Sequence, residues 1–302
     1  VTEDGFLATL FERLPPAGRE VAIPAGDDCA GIALGDGRIL LLAADQVVGE
    51  RHYRQSGETP TPPEMAGRKL LARNVSDIGA MGGTPSQCLI CAAFGPDVHE
   101  DWMVRFHNGI IAFASELDMG ILGGDLARTP HDTVCSLTIL GTVPAAEVVL
   151  RRGAREGDVL LATGTFGDSL DTGHHLSFPT RWREGRWLAA NGYARAMIDV
   201  SDGLVLDAGR LCRASETGLM LDVDAVPLRT PGYDRMQALA DGEDYELLAA
   251  VQADAVDAVL AEWPFEDVPI TPIGWFRCTR DHVVVDCDGT VLQKAGYDHF
   301  GA

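Results

Sequence analysis

The chain has no Gly-x4-Gly-Lys-Ser/Thr P-loop and no Gly-x-Gly-x-x-Gly fingerprint. A nucleotide, if one is handled, is not cradled around a P-loop lysine. Positive charge is scarce as well. Lys and Arg number 24 against 45 Asp and Glu, for a formal net charge of −21 and a sequence pI near 4.6. With no basic stripe, nucleic acid and anionic membrane surfaces are excluded as partners. An anionic substrate is repelled too, unless it arrives as a metal complex. No run of about 18 apolar residues occurs, so no membrane span is expected. Val1-Thr2-Glu3-Asp4 lacks the basic and apolar segments of a signal peptide. Seven cysteines, an odd count, point to reduced thiols and the cytoplasm. Cys88-Leu89-Ile90-Cys91 has no second Cys-x-x-Cys partner, and in the apolar run 87–94 its two thiols fall on opposite faces of a strand, so packing is the reading there.

What is present is a chain of 302 residues that is 46% hydrophobic, enough for two domains with substantial cores. A short helix is predicted over 6–14, ended by Pro15-Pro16. The apolar run 38–44 predicts a buried strand that delivers Asp45 at its end. Thr61-Pro62-Pro63-Glu64 opens a helix that Gly82-Gly83 stops, with Asn74 and Asp77 on one face. A strand over 87–94, a helix over 100–117, a short strand 120–122, a Gly123-Gly124-Asp125 turn and a strand over 133–143 complete the first half. The polar stretch 144–157 marks a junction, giving expected domains 1–144 and 145–302. The second half alternates strands and helices, with a helix after Ser201-Asp202, read as an N-cap pair. The fold class expected is α/β (α+β) in two domains.

Nine acids sit in short clusters with small residues around them: Asp27 and Asp28 behind Gly26, Asp45, Asp77, Asp125 behind Gly123-Gly124, Asp199 and Asp202 in Asp199-Val200-Ser201-Asp202-Gly203, and Glu243-Asp244 behind Gly242. Singly, each cluster also reads as a solvated turn. Brought together by folding, the carboxylates would repel unless hard cations sat between them. Such a cage, with glycines that let backbone N–H groups approach an anion, suits a polyphosphate held through Mg²⁺.

In their order these clusters resemble the thiamine-monophosphate kinase family, within the aminoimidazole-ribonucleotide-synthetase-like superfamily. The resemblance also includes Gly49 and His52, Lys69, Ala80-Met81-Gly82, Arg151 with Gly153-Ala154, Gly167-Asp168, Gly242-Glu243-Asp244-Tyr245-Glu246-Leu247 and Gly296-Tyr297-Asp298-His299-Phe300. It implies ATP-dependent phosphorylation of thiamine monophosphate to thiamine diphosphate. It further implies an N-terminal domain that pairs into a homodimer through its sheet, and an active site between that domain and the C-terminal one. Asp27, Asp45, Asp77, Asp125, Asp199 and Asp202 are implied Mg²⁺ ligands, with Asp27, Asp77, Asp125 and Asp202 catalytic. Gly124, Asp125, Arg151 and Ser201 are implied ATP contacts. His52, Glu243 and Tyr297 are implied substrate contacts, with Glu243 offsetting the thiamine charge and Tyr297 stacking on a ring. Alternatives within the superfamily are an aminoimidazole ribonucleotide synthetase and a hydrogenase-maturation dehydratase. Outside catalysis, the alternative is a nucleotide- or thiamine-phosphate-binding protein that has lost turnover. The chain departs from the family pattern in Ala44 and Gln46 beside Asp45, where Thr is usual. Further departures are Leu126 after Gly-Gly-Asp, Asp241 before Gly242, and a short 171–193 segment bearing His174-His175.

Overall fold

The structure is a computed structural model and describes residues 2–279, 281–292 and 296–297. Asp298, His299 and Phe300 lie outside the described residues. Two six-stranded sheets follow one another along the chain, each faced by helices. The first is ordered β1-β2-β3-β6-β4-β5, from β1 (Val21–Ile23), β2 (Ala30–Ala33), β3 (Arg38–Val48), β4 (Thr84–Phe94), β5 (Gly120–Arg128) and β6 (Val134–Pro144). Only its β4–β5 pair is parallel. The second is ordered β12-β9-β11-β7-β10-β8, from β7 (Val159–Thr163), β8 (Ala194–Asp199), β9 (Gly218–Leu221), β10 (Leu247–Val251), β11 (Ile270–Arg277) and β12 (Val284–Asp286). Strands in an otherwise antiparallel sheet with helices on its faces make the α+β class, as the sequence pattern indicates.

Helix α1 (Glu3–Phe11) begins where Thr2 Oγ1 accepts the Gly5 N–H at 3.3 Å. Helix α2 (Pro63–Ala80) is the structural axis. It packs on α3 (Glu100–Glu116), β3 and β6 on one side and on α4 (His174–Ser177), α5 (Trp182–Ala190) and β8 on the other. The α5 contact is close enough that a Cβ on Gly79 would stand 2.7 Å from Trp182 Cα. Phe178 and Tyr245, both from the second half, stack at 3.9 Å and join the core of the first. The remaining helices are α6 (Leu204–Ser215), α7 (Arg235–Ala240) and α8 (Val256–Glu262).

Three local expectations differ from what is found. β3 does not stop at Ala44: it pairs with β6 along its whole length, from Arg38↔Pro144 to Val48↔Val134, so Asp45 lies mid-strand. Backbone pairing carries a strand past the end of its apolar run. Gly123-Gly124 is not a turn: both glycines pair with β4, at Leu89 and Ile90, just after a register shift that skips Leu122, and β5 continues to Arg128. There Gly124 has φ +155°, and a Cβ would lie 1.6 Å from Ile90 O. Ser201 does not cap α6. Gly203 stands at the N-cap with no side-chain cap bond, and Asp207, inside the helix, accepts the Ser201 N–H at 3.1 Å and the Asp202 N–H at 3.0 Å from the loop before it. Cys88 is buried and Cys91 exposed, consistent with opposite faces of β4.

Candidate functional site

A cleft of about 570 Å³ lies where the two halves meet. The β1–β2 loop brings Asp27 to it, β3 brings Asp45, α2 brings Asp77, and the end of β8 with the following loop brings Asp199, Ser201 and Asp202. At its heart Asp28, Asp77 and Asp199 each offer a carboxylate oxygen, all within 4.8 Å of one another. Ser76 Oγ donates to Asp199 Oδ2 at 2.6 Å. Asp28 Oδ1 takes the Arg151 guanidinium at 2.5 Å, while its Oδ2 is buried with no hydrogen-bond partner. An orphaned carboxylate oxygen among three converging acids fits a hard divalent cation with oxygen ligands.

The electrostatics agree. Burial first, and the Asp199 charge next, hold Asp77 well above the usual carboxylate range. Burial and then Asp28 push Asp199 up to about 8. Asp27 rises to about 6 through burial and its neighbour Asp28. Burial and mutual repulsion thus oppose ionisation of these acids, and a bound cation would favour it.

A smaller cavity of about 100 Å³ adjoins the cleft and shares Arg73, Ser201, Asp202 and Tyr245 with it. His52, Glu243 and Tyr297 line it together with Arg51. Under its floor Lys69 is fully buried, and its three ammonium donors are all used. They go to His52 O at 2.7 Å, His175 Nδ1 at 3.0 Å and Glu243 Oε2. Lysine only donates, so His175 accepts at Nδ1 and carries its proton on Nε2. Burial lowers Lys69 to about 8 against the pull of Glu243. Burial works to raise Glu243 too, but the charge on Lys69 outweighs it and brings Glu243 down to about 2. The two directions agree that the pair is charged, with the larger burial cost on Lys69. Glu243 and Tyr245 have φ of +65° and +52°, a strained backbone for residues with side chains, held here by the surrounding contacts.

Residues 26–143 match the family model "AIR synthase related protein, N-terminal domain", and 160–286 match the corresponding C-terminal domain. The thiamine-monophosphate kinase of Salmonella typhimurium strain LT2 is 31% identical over 328 aligned positions, covering 99% of this chain and 98% of that protein. This chain belongs to the thiamine-monophosphate kinase family. The kinase of Escherichia coli strain K12 is likewise 31% identical, covering 99% of this chain and 98% of that protein. Among solved structures, AaThiL complexed with AMPPCP and TMP matches with a TM-score of 0.85 at 27% identity, over 99% of this chain and 97% of that one.

The site residues expected of a thiamine-monophosphate kinase are distributed unevenly. Asp27, Asp45, Asp77, Asp199, Asp202, Arg151 and Ser201 line the large cleft. His52, Glu243 and Tyr297 line the small one. Gly124 and Asp125 line neither; β5 is the edge of its sheet and exposed throughout. Asp28, not Asp27, shares the converging trio with Asp77 and Asp199, because Asp27 turns its carboxylate to the Arg151 N–H at 3.2 Å. Adjacent side chains in an extended loop diverge, and sequence alone leaves open which one faces the metal. Glu243 does not wait for a cationic substrate, since Lys69 already neutralises it. Asp202 is paired with Arg210 at 2.6 Å. Sequence reading assigned no role to Arg73 or Lys69. A signal was available: two basic residues four apart in the apolar stretch Lys69-Leu70-Leu71-Ala72-Arg73 share one helix face.

Proposed function

We propose that the adjoining cavities bind Mg–ATP and thiamine monophosphate, and that the chain is an ATP-dependent kinase making thiamine diphosphate and ADP. The observation that carries this reading is the shared wall. An acid-lined cleft fit for a metal–polyphosphate meets a small cavity across Arg73, Ser201, Asp202 and Tyr245. The acceptor is a phosphate oxygen, already ionised near neutral pH, so no general base is needed. Alignment and charge neutralisation are the requirements. Asp28, Asp77 and Asp199 would hold the cation, which neutralises polyphosphate charge when bound. Tyr297, 49% exposed, is available to cover a thiazolium ring, and its N–H is fixed on Asp202 O at 2.9 Å.

Two finer points belong to the same proposal. The chain pairs into a homodimer through the first sheet, where β5 leaves Ile121, Leu122 and Leu126 exposed beside an unpaired edge. Gly124 and Asp125 then serve a nucleotide only across that interface. The domain boundary falls after β6, at 144/145. Among the described residues no helix is long and apolar enough to cross a membrane. All seven cysteines are unpaired, which supports a reducing, cytoplasmic setting.

Incubating the purified protein with Mg–ATP and thiamine monophosphate, and following products by phosphorus NMR, tests the reading. Thiamine diphosphate and ADP are expected in equal amounts. ADP without thiamine diphosphate, or no product at all, refutes it. The synthetase-like and dehydratase-like alternatives gain no support, since the curated relatives at 31% identity are kinases of this substrate.

A further inference from the structure

Arg73 sits in the wall common to both cavities, with only a tenth of its side chain exposed. Two of its nitrogens grip Asp45: Nε donates to Oδ2 at 2.7 Å and Nη2 to Oδ1 at 3.3 Å. Its third nitrogen, Nη1, is buried with no hydrogen-bond partner and lies 3.9 Å from Glu243 Oε1. Tyr245 lines the same two cavities, is 2% exposed, and its hydroxyl is also buried without a partner.

An unmet buried donor costs about 1–3 kcal/mol. Two such donors on one wall, between a polyphosphate cleft and an acceptor cavity, are explained by an anion that arrives only with the substrates. The Asp45 fork does the orienting. A guanidinium held at two nitrogens by a carboxylate has its third nitrogen fixed in the plane, which is the preorganisation that charge stabilisation needs. The fork also means that both Asp45 oxygens already face a fixed cation. Asp45 differs in this from the Asp28–Asp77–Asp199 trio, where one oxygen is left open.

We propose that Arg73 is a catalytic residue: its Nη1, together with the Tyr245 hydroxyl, donates to the phosphoryl group as it passes from the cleft to the small cavity. The inference rests on the kinase reading. In the step, a phosphate oxygen of thiamine monophosphate bonds to the γ-phosphorus of ATP. The bond from that phosphorus to the β–γ bridging oxygen breaks, and its electron pair leaves with ADP. With a dianionic acceptor no proton moves, and the sum of charges is the same before and after. Midway, the transferring group spreads its charge over three equatorial oxygens between two anions, where a fixed arginine stabilises it without reorganisation.

The competing view makes Arg73 a clamp that holds Asp45 and nothing more. Three proteins separate the two: wild type, Arg73→Met and Asp45→Ala. Steady-state rates are measured with Mg–ATP and thiamine monophosphate. Calorimetry measures binding of Mg–ADP alone, and of Mg–ADP with aluminium fluoride and thiamine monophosphate. Arg73→Met is expected to lose at least a hundredfold in kcat and at least thirtyfold in affinity for the aluminium fluoride complex, with Mg–ADP binding within threefold of wild type. Asp45→Ala is expected to lose at least tenfold less kcat than Arg73→Met, because the guanidinium remains. Equal losses in the two variants, wild-type affinity of Arg73→Met for the fluoride complex, or a kcat loss under tenfold overturns the proposal. If Arg73→Met does not fold, Arg73→Lys carries the test. It keeps the charge but not the fork, and a kcat loss under threefold is then the overturning result. A wild type that makes no thiamine diphosphate refutes the kinase reading and this proposal with it; an active wild type with an unaffected Arg73 variant refutes this proposal alone.

Discussion

The two adjoining cavities treat their carboxylates in opposite ways. In the large cleft Asp28, Asp77 and Asp199 face one another, one oxygen has no partner, and burial keeps protons on Asp77 and Asp199. In the small cavity Glu243 is charged, its partner Lys69 is buried beneath it, and Asp45 in the shared wall is gripped by Arg73. Both regions bury acids at a desolvation cost. The first leaves that cost to be offset by a cation from outside. The second offsets it with the chain's own cations, so it can accept a substrate without needing a metal of its own. The proposed kinase reading uses both arrangements, one to bring in divalent charge and one to hold the acceptor still.

The largest effect expected from breaking this contrast is in the metal region. Asp77→Asn removes one of the three carboxylates proposed to hold the cation and should lower kcat on the order of 10²–10³-fold. It also relieves repulsion, so the melting temperature in chelator should hold or rise. A variant with wild-type kinase activity would take Asp77 out of the site.

Breaking the small cavity should damage stability instead. Lys69→Met strands Glu243 beside a buried methyl group, and urea unfolding should show a loss of about 3 kcal/mol. Adding Glu243→Gln should recover most of it, since the uncompensated charge is gone. If Lys69→Met alone is neutral, the buried pair described above does not exist in solution.

The smallest effect is on pH dependence, and it sharpens the comparison. Folding raises Asp199 to about 8 and Asp27 to about 6, so the folded chain keeps protons that the unfolded chain sheds near pH 4. Stability from this source is therefore intact below the ordinary carboxylate range and declines as pH rises from about 4 to about 8. In chelator the melting temperature should fall by several degrees between pH 5 and 8. Mg²⁺ should flatten the fall by binding the ionised form, and Asp199→Asn should flatten it without Mg²⁺. A slope that neither treatment changes would show that the decline comes from general surface repulsion.

Much of this molecule was legible as sequence. The apolar runs and Pro/Gly punctuation located α2, α3, β4 and β6 to within a few residues, because period and breakers act locally. The acid clusters and their order pointed to a metal–nucleotide kinase, and the convergence of Asp27, Asp45, Asp77, Asp199 and Asp202 in one cleft follows from two sheets meeting across α2. Chemistry at a distance is what only the tertiary structure decided. Whether Asp27 or Asp28 joins the carboxylate trio depends on which way a loop turns, and Arg151, more than a hundred positions later, holds both, Asp27 through its N–H and Asp28 through its guanidinium. That Gly123-Gly124 continues a strand instead of ending it, and that Asp125 lies on an open edge, are results of pairing between segments far apart in the chain. Lys69, Arg73, His175 and Glu243 carry no shared motif. They form one charged cluster because burial forces every buried charge to find a partner, and only the folded chain determines which partners are within reach.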